Sequence, residues 1–293
     1  MKVIQTHALL TLILLCPAGS AQANWLTLDF PGALSTRVQG IDGDNVVGSY
    51  EDASGNQHGF LREGTTWVTL DFPDATHTEP HGVDGDGIVG WYEDAFGNHH
   101  GFLYNGTTWT SLDFPGAPAT LAYGIDGDNI VGSYAYAPGR GYGFLYDGTT
   151  WASLYLGTAL YTNASDIDGD KVVGSWFRPA TTHGFLYSDG IWRTLDFPGA
   201  RHTAAHSIDG GDIVGNWSES GGDHGFLYDG MAWTTLDFPG ADDTYIYGID
   251  GGNVVGYYWD GSGEHGFIYT IPEPGTIFLL ALGGLALLRK GKP

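Results

Sequence analysis

The chain has 293 residues, is 42% apolar and 14% aromatic, and carries 48 glycines with only 15% charged residues. That is too apolar for a disordered chain and too rich in Gly, Thr and aromatics for a helical one, so an all-β fold with many tight turns is expected. The formal charge of −23 repels a phosphate backbone and argues against nucleic acid as a partner.

The chain opens with MKVIQTHALLTLILLCPAGSAQA: a basic Lys2, an apolar run Ala8–Cys16 broken by Thr11, and small residues at Ala21 and Ala23. This is the pattern of a secretory signal peptide over residues 1–23, cleaved after Ala23. Cys16, the only cysteine, lies inside it, so disulfides and thiolate metal sites are not expected in the mature protein.

From Trp25 onward one unit recurs, opened by Trp25, Trp67, Trp109, Trp151, Trp192 and Trp233 at spacings of 42, 42, 42, 41 and 41 residues. Each copy holds four strand-like runs. Run A precedes Ile-Asp, as in Thr36–Ile41. Run B is the Val-Val-Gly segment, as in Asn45–Tyr50. Run C is the Gly-Phe-Leu segment, as in His58–Arg62. Run D is the Trp segment, as in Trp67–Phe72. Asp-Gly and Gly-Gly pairs such as Asp42-Gly43 and Gly251-Gly252 mark A–B hairpins, and Glu63-Gly64 or Asp189-Gly190 mark C–D hairpins. The longer B–C and D–A links then lie at the opposite end of each sheet.

Four-stranded antiparallel sheets at this period predict a β-propeller of six blades over residues 24–270. The first run D, Trp25–Phe30, has no A, B and C runs before it, whereas the last copy ends after run C. Pairing the two closes the ring without a free edge. An open solenoid would leave both edges exposed.

Candidate site residues follow from the blade order. Run A is the innermost strand, so its divergent positions should line a central channel towards the long-loop face. Arg37, Glu79, His81, Tyr123, His206 and Tyr247 form a polar, aromatic set suited to a polar ligand such as a sugar. The repeated Asp42, Asp84, Asp126, Asp168, Asp209 and Asp250 are expected to cap their own turns. They lack the spacing of a calcium loop. His58, His100, His183, His224 and His265 are expected to hold the B–C loops, with Tyr142 in the histidine's place in one copy. No nucleophile motif, phosphate loop or zinc signature occurs, so no catalytic residue, metal or cofactor is assigned.

The chain ends with Pro272-Glu273-Pro274, an apolar run Thr276–Leu288, and a basic end with Arg289 and Lys290. This segment over residues 271–293 resembles the PEP-CTERM sorting signal. The resemblance implies export in a Gram-negative bacterium, membrane contact only through this tail, and processing by an exosortase-type enzyme as partner. The repeat also resembles the HAF-type extracellular repeat, through Gly40-Ile41-Asp42, Val46-Val47-Gly48 and His58-Gly59-Phe60-Leu61, with Gly where that family has Ala. These features together lead to the expectation of a non-enzymatic binding or structural protein of the exopolysaccharide layer. A secreted glycoside hydrolase or lyase working in the channel is the alternative.

Overall fold

β-Branched and aromatic runs separated by Gly turns fold into strands alone in the computed structural model, which describes residues 24–137, 139–157, 159–219 and 221–272. The expected signal peptide, residues 1–23, and Glu273, Pro274, Arg289 and Lys290 of the sorting signal lie outside the described residues. Residues Asn24–Ile271 form one compact unit.

β2 (Ser35–Asp42), β3 (Asn45–Glu51), β4 (Gln57–Glu63) and β5 (Thr66–Thr69) make a four-stranded antiparallel sheet in chain order. β6 (His77–Asp84), β7 (Gly87–Glu93), β8 (His99–Tyr104) and β9 (Trp109–Leu112) repeat it. Three further meanders follow. The first is β10 (Thr120–Asp126), β11 (Asn129–Ala137), β12 (Arg140–Tyr146) and β13 (Trp151–Leu154). The second is β14 (Tyr161–Asp168), β15 (Lys171–Arg178), β16 (Thr181–Ser188) and β17 (Ile191–Leu195). The third is β18 (His202–Asp209), β19 (Asp212–Ser218), β20 (Asp223–Tyr228) and β21 (Trp233–Leu236). Single parallel bridges, Gly141 to Tyr161 and Thr182 to His202, join these three into one twelve-stranded sheet. β22 (Asp243–Asp250), β23 (Asn253–Trp259) and β24 (Glu264–Thr270) take β1 (Asn24–Thr27) as their fourth strand, with Asn24 opposite Thr270 and Thr27 opposite Phe267.

The A–B turns bear out their sequence. Gly43 sits at φ 55° and Gly251 at φ 53°, the left-handed region that Gly enters without steric cost. The recurring Val-Val-Gly has a different reason. A Cβ on Gly48 would strike the Arg37 carbonyl across the ladder, and Gly132 and Gly256 face Leu121 and Tyr245 carbonyls in the same way. The glycine is there for close approach of two backbones.

Run D is shorter than its sequence suggests. β5 ends at Thr69, because Leu70 N–H still bonds Gly59 O (2.9 Å) but the chain then turns at Pro73. Phe72, freed from the strand, reaches Tyr92 of β7 and stacks on it at 3.7 Å between centroids. Phe30 stacks on Tyr50, Phe114 on Tyr134 and Phe238 on Tyr258 at the same distance. The core therefore lies between neighbouring sheets. Phe60, Phe102, Phe144, Phe185, Phe226 and Phe267 are fully enclosed there, each edge-on or tilted to its sheet's Trp, as Phe60 is to Trp67 at 5.0 Å. Such aromatic burial supplies the largest share of apolar area per repeat.

Candidate functional site

β2, β6, β10, β14, β18 and β22 pack one against the next, and β22 meets β2, around a cavity of about 340 Å³. Each of these strands breaks register once, between Val38 and Gly40, Pro80 and Gly82, Ala122 and Gly124, Ala164 and Asp166, Ala205 and Ser207, and Ile246 and Gly248. The skipped residues are Gln39, His81, Tyr123, Ser165, His206 and Tyr247. A bulge leaves its extra residue outside the ladder and re-aims its side chain. All six skipped residues line the cavity.

Four of the sequence candidates, His81, Tyr123, His206 and Tyr247, are thus gathered in one tier. His206 and Tyr247 lie 4.5 Å apart by ring centroids, and His81 and Tyr123 lie 5.0 Å apart. Arg37 and Glu79 sit two residues earlier and do not line the cavity. Arg37 forms a two-point ion pair with Glu264, Nε to Oε2 at 2.5 Å and NH2 to Oε1 at 2.8 Å, and lies over the Tyr257 ring. The Glu264 hydrogen bond holds its guanidinium above its ordinary range against the effect of burial. Glu79 accepts from Gln39 Nε2 (2.6 Å) and His77 Nε2 (3.2 Å). Burial alone would raise the Glu79 carboxyl, but His77 and His81 outweigh it and hold it well below the usual carboxylate range.

Three side chains of the tier are held towards their uncharged forms. Burial, with His81 nearby, lowers His206 to about 4. Burial raises Tyr123 to about 12 and, with Tyr257, holds Tyr247 well above its ordinary value. Trp91 Nε1, which can only donate, bonds His81 Nε2 at 3.2 Å.

The cavity extends from this tier towards the A–B turns, the end opposite to the variable loops, and is framed there by Asp42, Asp84, Asp126, Asp168, Asp209 and Asp250. These carboxylates do not cap their own turns. Asp42 Oδ2 accepts from Gly85 N–H (2.8 Å), Asp84 from Gly127 (2.7 Å), Asp126 from Gly169 (2.7 Å), Asp209 from Gly251 (2.9 Å) and Asp250 from Gly43 (2.8 Å). Each of these five therefore clasps the turn of the next strand pair, a partner 42 or 43 residues ahead for four of them and 207 residues back for Asp250, which local sequence reading cannot see. Among the described residues no cluster of His, Cys, Asp and Glu is arranged to hold a metal ion.

Asp166 was missed in the sequence. It stands where β2, β6, β10 and β22 have Gly40, Gly82, Gly124 and Gly248, and that departure was the available signal. Its Oδ2 accepts from Ser207 Oγ (2.7 Å) and Ile208 N–H (3.0 Å), and its Oδ1 from Ile167 N–H (2.9 Å). Burial pushes its carboxyl up to about 6 in spite of these bonds. The repeated histidines also do more than hold a loop. His58 Nδ1 bonds Asp71 of the Leu-Asp-Phe-Pro segment at 2.8 Å, while its Nε2 lies 3.5 Å from Asp52 in the B–C loop.

Residues 270–292 match the PEP-CTERM protein-sorting motif. Such motifs are exosortase substrates and imply export with membrane or cell-surface anchoring in Gram-negative bacteria. No curated protein matches the chain. Among solved structures, TolB from Acinetobacter baumannii is similar at 15% identity and TM-score 0.53, over 82% of this chain and 65% of that one. An acylaminoacyl peptidase from Pyrococcus horikoshii is similar at 13% identity and TM-score 0.53, over 83% of this chain and 47% of that one. The β-propeller domain of the Trilobed protease from Pyrococcus furiosus is similar at 9% identity and TM-score 0.50, over 80% of this chain and 95% of that one. The chain thus spans about half the length of the acylaminoacyl peptidase and nearly all of the isolated propeller domain. At these identities the likeness concerns the fold, and the chain is an all-β, propeller-like unit followed by a PEP-CTERM sorting motif.

Proposed function

We propose that the protein is a six-bladed propeller, closed by β1, displayed at the cell surface as a non-enzymatic binding protein of the exopolysaccharide layer. Export and anchoring follow from the sorting motif. Support for closure comes from β1 completing the sheet of β22–β24 and from Asp250 clasping Gly43.

The observation that carries the binding reading is the tier of six bulge residues. Placing Gln39, His81, Tyr123, Ser165, His206 and Tyr247 around one cavity costs a ladder register in every inner strand. It presents polar donors, acceptors and aromatic faces to whatever enters. That chemistry suits an uncharged polyol, for which a cavity of about 340 Å³ is within the usual range of ligand sites. A glycan array probed with the secreted protein tests it: binding to a neutral glycan that falls at least tenfold in His206→Ala is expected, and no binding to any glycan rejects it.

A second reading is favoured by one feature. Asp166, raised to about 6, lies in the same cavity as Asp168, as a general acid beside a second carboxylate would in a glycosidase. Against it, both Asp166 oxygens are occupied by Ser207 and backbone amides. Release of reducing sugar by the wild type but not by Asp166→Asn would establish this reading in place of the first.

A further inference from the structure

One sector of the molecule departs from the repeat in a consistent direction. Where the other copies place His opposite the Asp of Leu-Asp-Phe-Pro, β12 carries Tyr142 and the segment after β13 reads Leu154-Tyr155-Leu156-Gly157. The ion pair is replaced by two rings 4.5 Å apart, and Tyr136 stacks on Tyr142 at 4.8 Å. Next to it Tyr161 and Phe177 face each other across the β14–β15 ladder. Among the equivalent pairs, Ser35 with Glu51, His77 with Glu93, His202 with Ser218 and Asp243 with Trp259, none has a ring of Phe, Tyr or Trp on both strands. Tyr161 lies against Gly141, where any side chain would collide with its ring, so the two groups of aromatics adjoin.

These rings are not core. Tyr136, Tyr155, Tyr161 and Phe177 are 62%, 42%, 37% and 39% exposed. Tyr161 and Phe177 also border a cavity of about 480 Å³ whose polar groups are Ser133, Asn163, Ser175 and the Tyr123 hydroxyl, at the long-loop end of β10, β11, β14 and β15; Tyr123 and Asn163 line the central cavity too. Thr162 Oγ1 and Trp176 Nε1 are buried with no partner among the described residues, as is Nε1 of Trp217, the counterpart of Trp176 in the next strand set. The matching Thr36 and Thr78 each accept from a Phe amide, and the matching Tyr50 bonds Thr69. A contiguous exposed aromatic patch beside a cavity marks a binding surface.

We infer that this sector binds a neutral polysaccharide chain on a surface of its own that meets the central cavity only through Tyr123 and Asn163. Flat rings with polar edges cover the C–H faces of sugar rings, and Asn and Ser reach their hydroxyls. The net charge of −26 over Asn24–Thr270 disfavours an anionic glycan. The extended run from Tyr136 to Phe177 suits a chain rather than a single sugar. Its long-loop position is also remote from Ile271, which bonds Gly252 O at the A–B turn end where the chain leaves the fold.

Native electrophoresis of the full chain in nonionic detergent, through gels containing dextran, galactomannan, xyloglucan, mixed-linkage β-glucan or alginate, tests the assignment. Retardation by at least one neutral polysaccharide and not by alginate is expected. The variant Tyr142→His, Tyr155→Asp, Tyr161→Ser, Phe177→Glu installs residues that the first copy already uses, and should weaken retardation about tenfold or more. The two double variants, Tyr142→His with Tyr155→Asp and Tyr161→Ser with Phe177→Glu, serve if the fourfold variant does not fold, each with a smaller loss. Phe96→Ser, which removes an exposed ring from the loop between β7 and β8, should leave retardation unchanged, and His206→Ala reports any contribution of the central cavity. Overturning results are no retardation by any neutral polysaccharide, equal retardation by alginate, retention of binding in the folded variants, or loss confined to His206→Ala, which would assign binding to the central cavity.

Discussion

His265 Nδ1 and Asp29 Oδ2 are 2.9 Å apart although 236 residues separate them in the chain. The same Asp29 accepts from Gly266 N–H at 3.2 Å, and the pair repeats what His58 and Asp71 do within one sheet. The segment after β1 is therefore bonded to β24 as Asp71 is bonded to β4. Asp29→Ala is expected to lower stability by about 1 kcal/mol, as for a half-exposed charged pair. Trp25→Ala, which removes a ring packed on Phe267 (5.0 Å) and Tyr269 (4.4 Å), should cost about 3 kcal/mol. Urea unfolding midpoints of the two variants measure the difference.

His58 predicts a pH effect. Burial lowers its pKa, but the hydrogen bond and charge of Asp71, with Asp52, raise it above 6.5 overall. The pair's stabilisation is complete below the unfolded value and is lost as pH rises through the raised folded value. Asp71→Asn should bring the His58 titration, followed by the NMR shift of its ring proton, to lower pH.

Asp166 has the opposite sign. Its folded carboxyl titrates near 6 against 3.8 in the unfolded chain, so the folded state holds the extra proton between those values. Stability falls as pH rises through that window. Asp166→Asn keeps one oxygen for Ser207 Oγ and Ile208 N–H, loses the acceptor of Ile167 N–H and carries no charge to bury. Its melting temperature should therefore decline less than that of the wild type as pH rises from 4 to 6.

The carboxylate frame separates two residues of identical type. Asp84→Ala removes the acceptor of Gly127 N–H and should cost about 1 kcal/mol. Asp168 accepts from no neighbouring turn amide among the described residues, so Asp168→Ala should leave the urea midpoint within experimental error. Equal losses would mean that the frame acts through charge alone.

Gly132 offers a test of close packing. A methyl there collides with the Leu121 carbonyl and the Phe144 ring. Gly132→Ala is expected to destabilise by about 2–3 kcal/mol, whereas Gly127→Ala, where the space is open but φ is 58°, should cost about 1 kcal/mol through backbone strain.

Much of this architecture was legible along the chain. The period of Trp, the Val-Val-Gly and Gly-Phe-Leu runs and the Asp-Gly turns are local signals, and a strand or hairpin needs nothing more than neighbouring residues to declare itself. Four members of the bulge tier were legible too, because they diverge where the repeat is otherwise regular. Arg37 and Glu79 diverge equally, and nothing in the sequence shows that Glu264 and Gln39 engage them away from the cavity.

Only the tertiary structure decided the rest. The bulges that aim Gln39 and Ser165 inward are a matter of register between strands, which composition does not encode. The carboxylates of Asp42, Asp84, Asp126 and Asp209 bond turns 42 or 43 residues ahead and that of Asp250 bonds one 207 residues back, so their partners exist only after the sheets have assembled. Tyr142 and Tyr155 read singly as drift; together with Tyr161 and Phe177 they make one surface, because folding places the start of β14 beside the start of β12. Sequence determined the strands and their order through short-range physics, and contacts between sheets decided which side chains share a site.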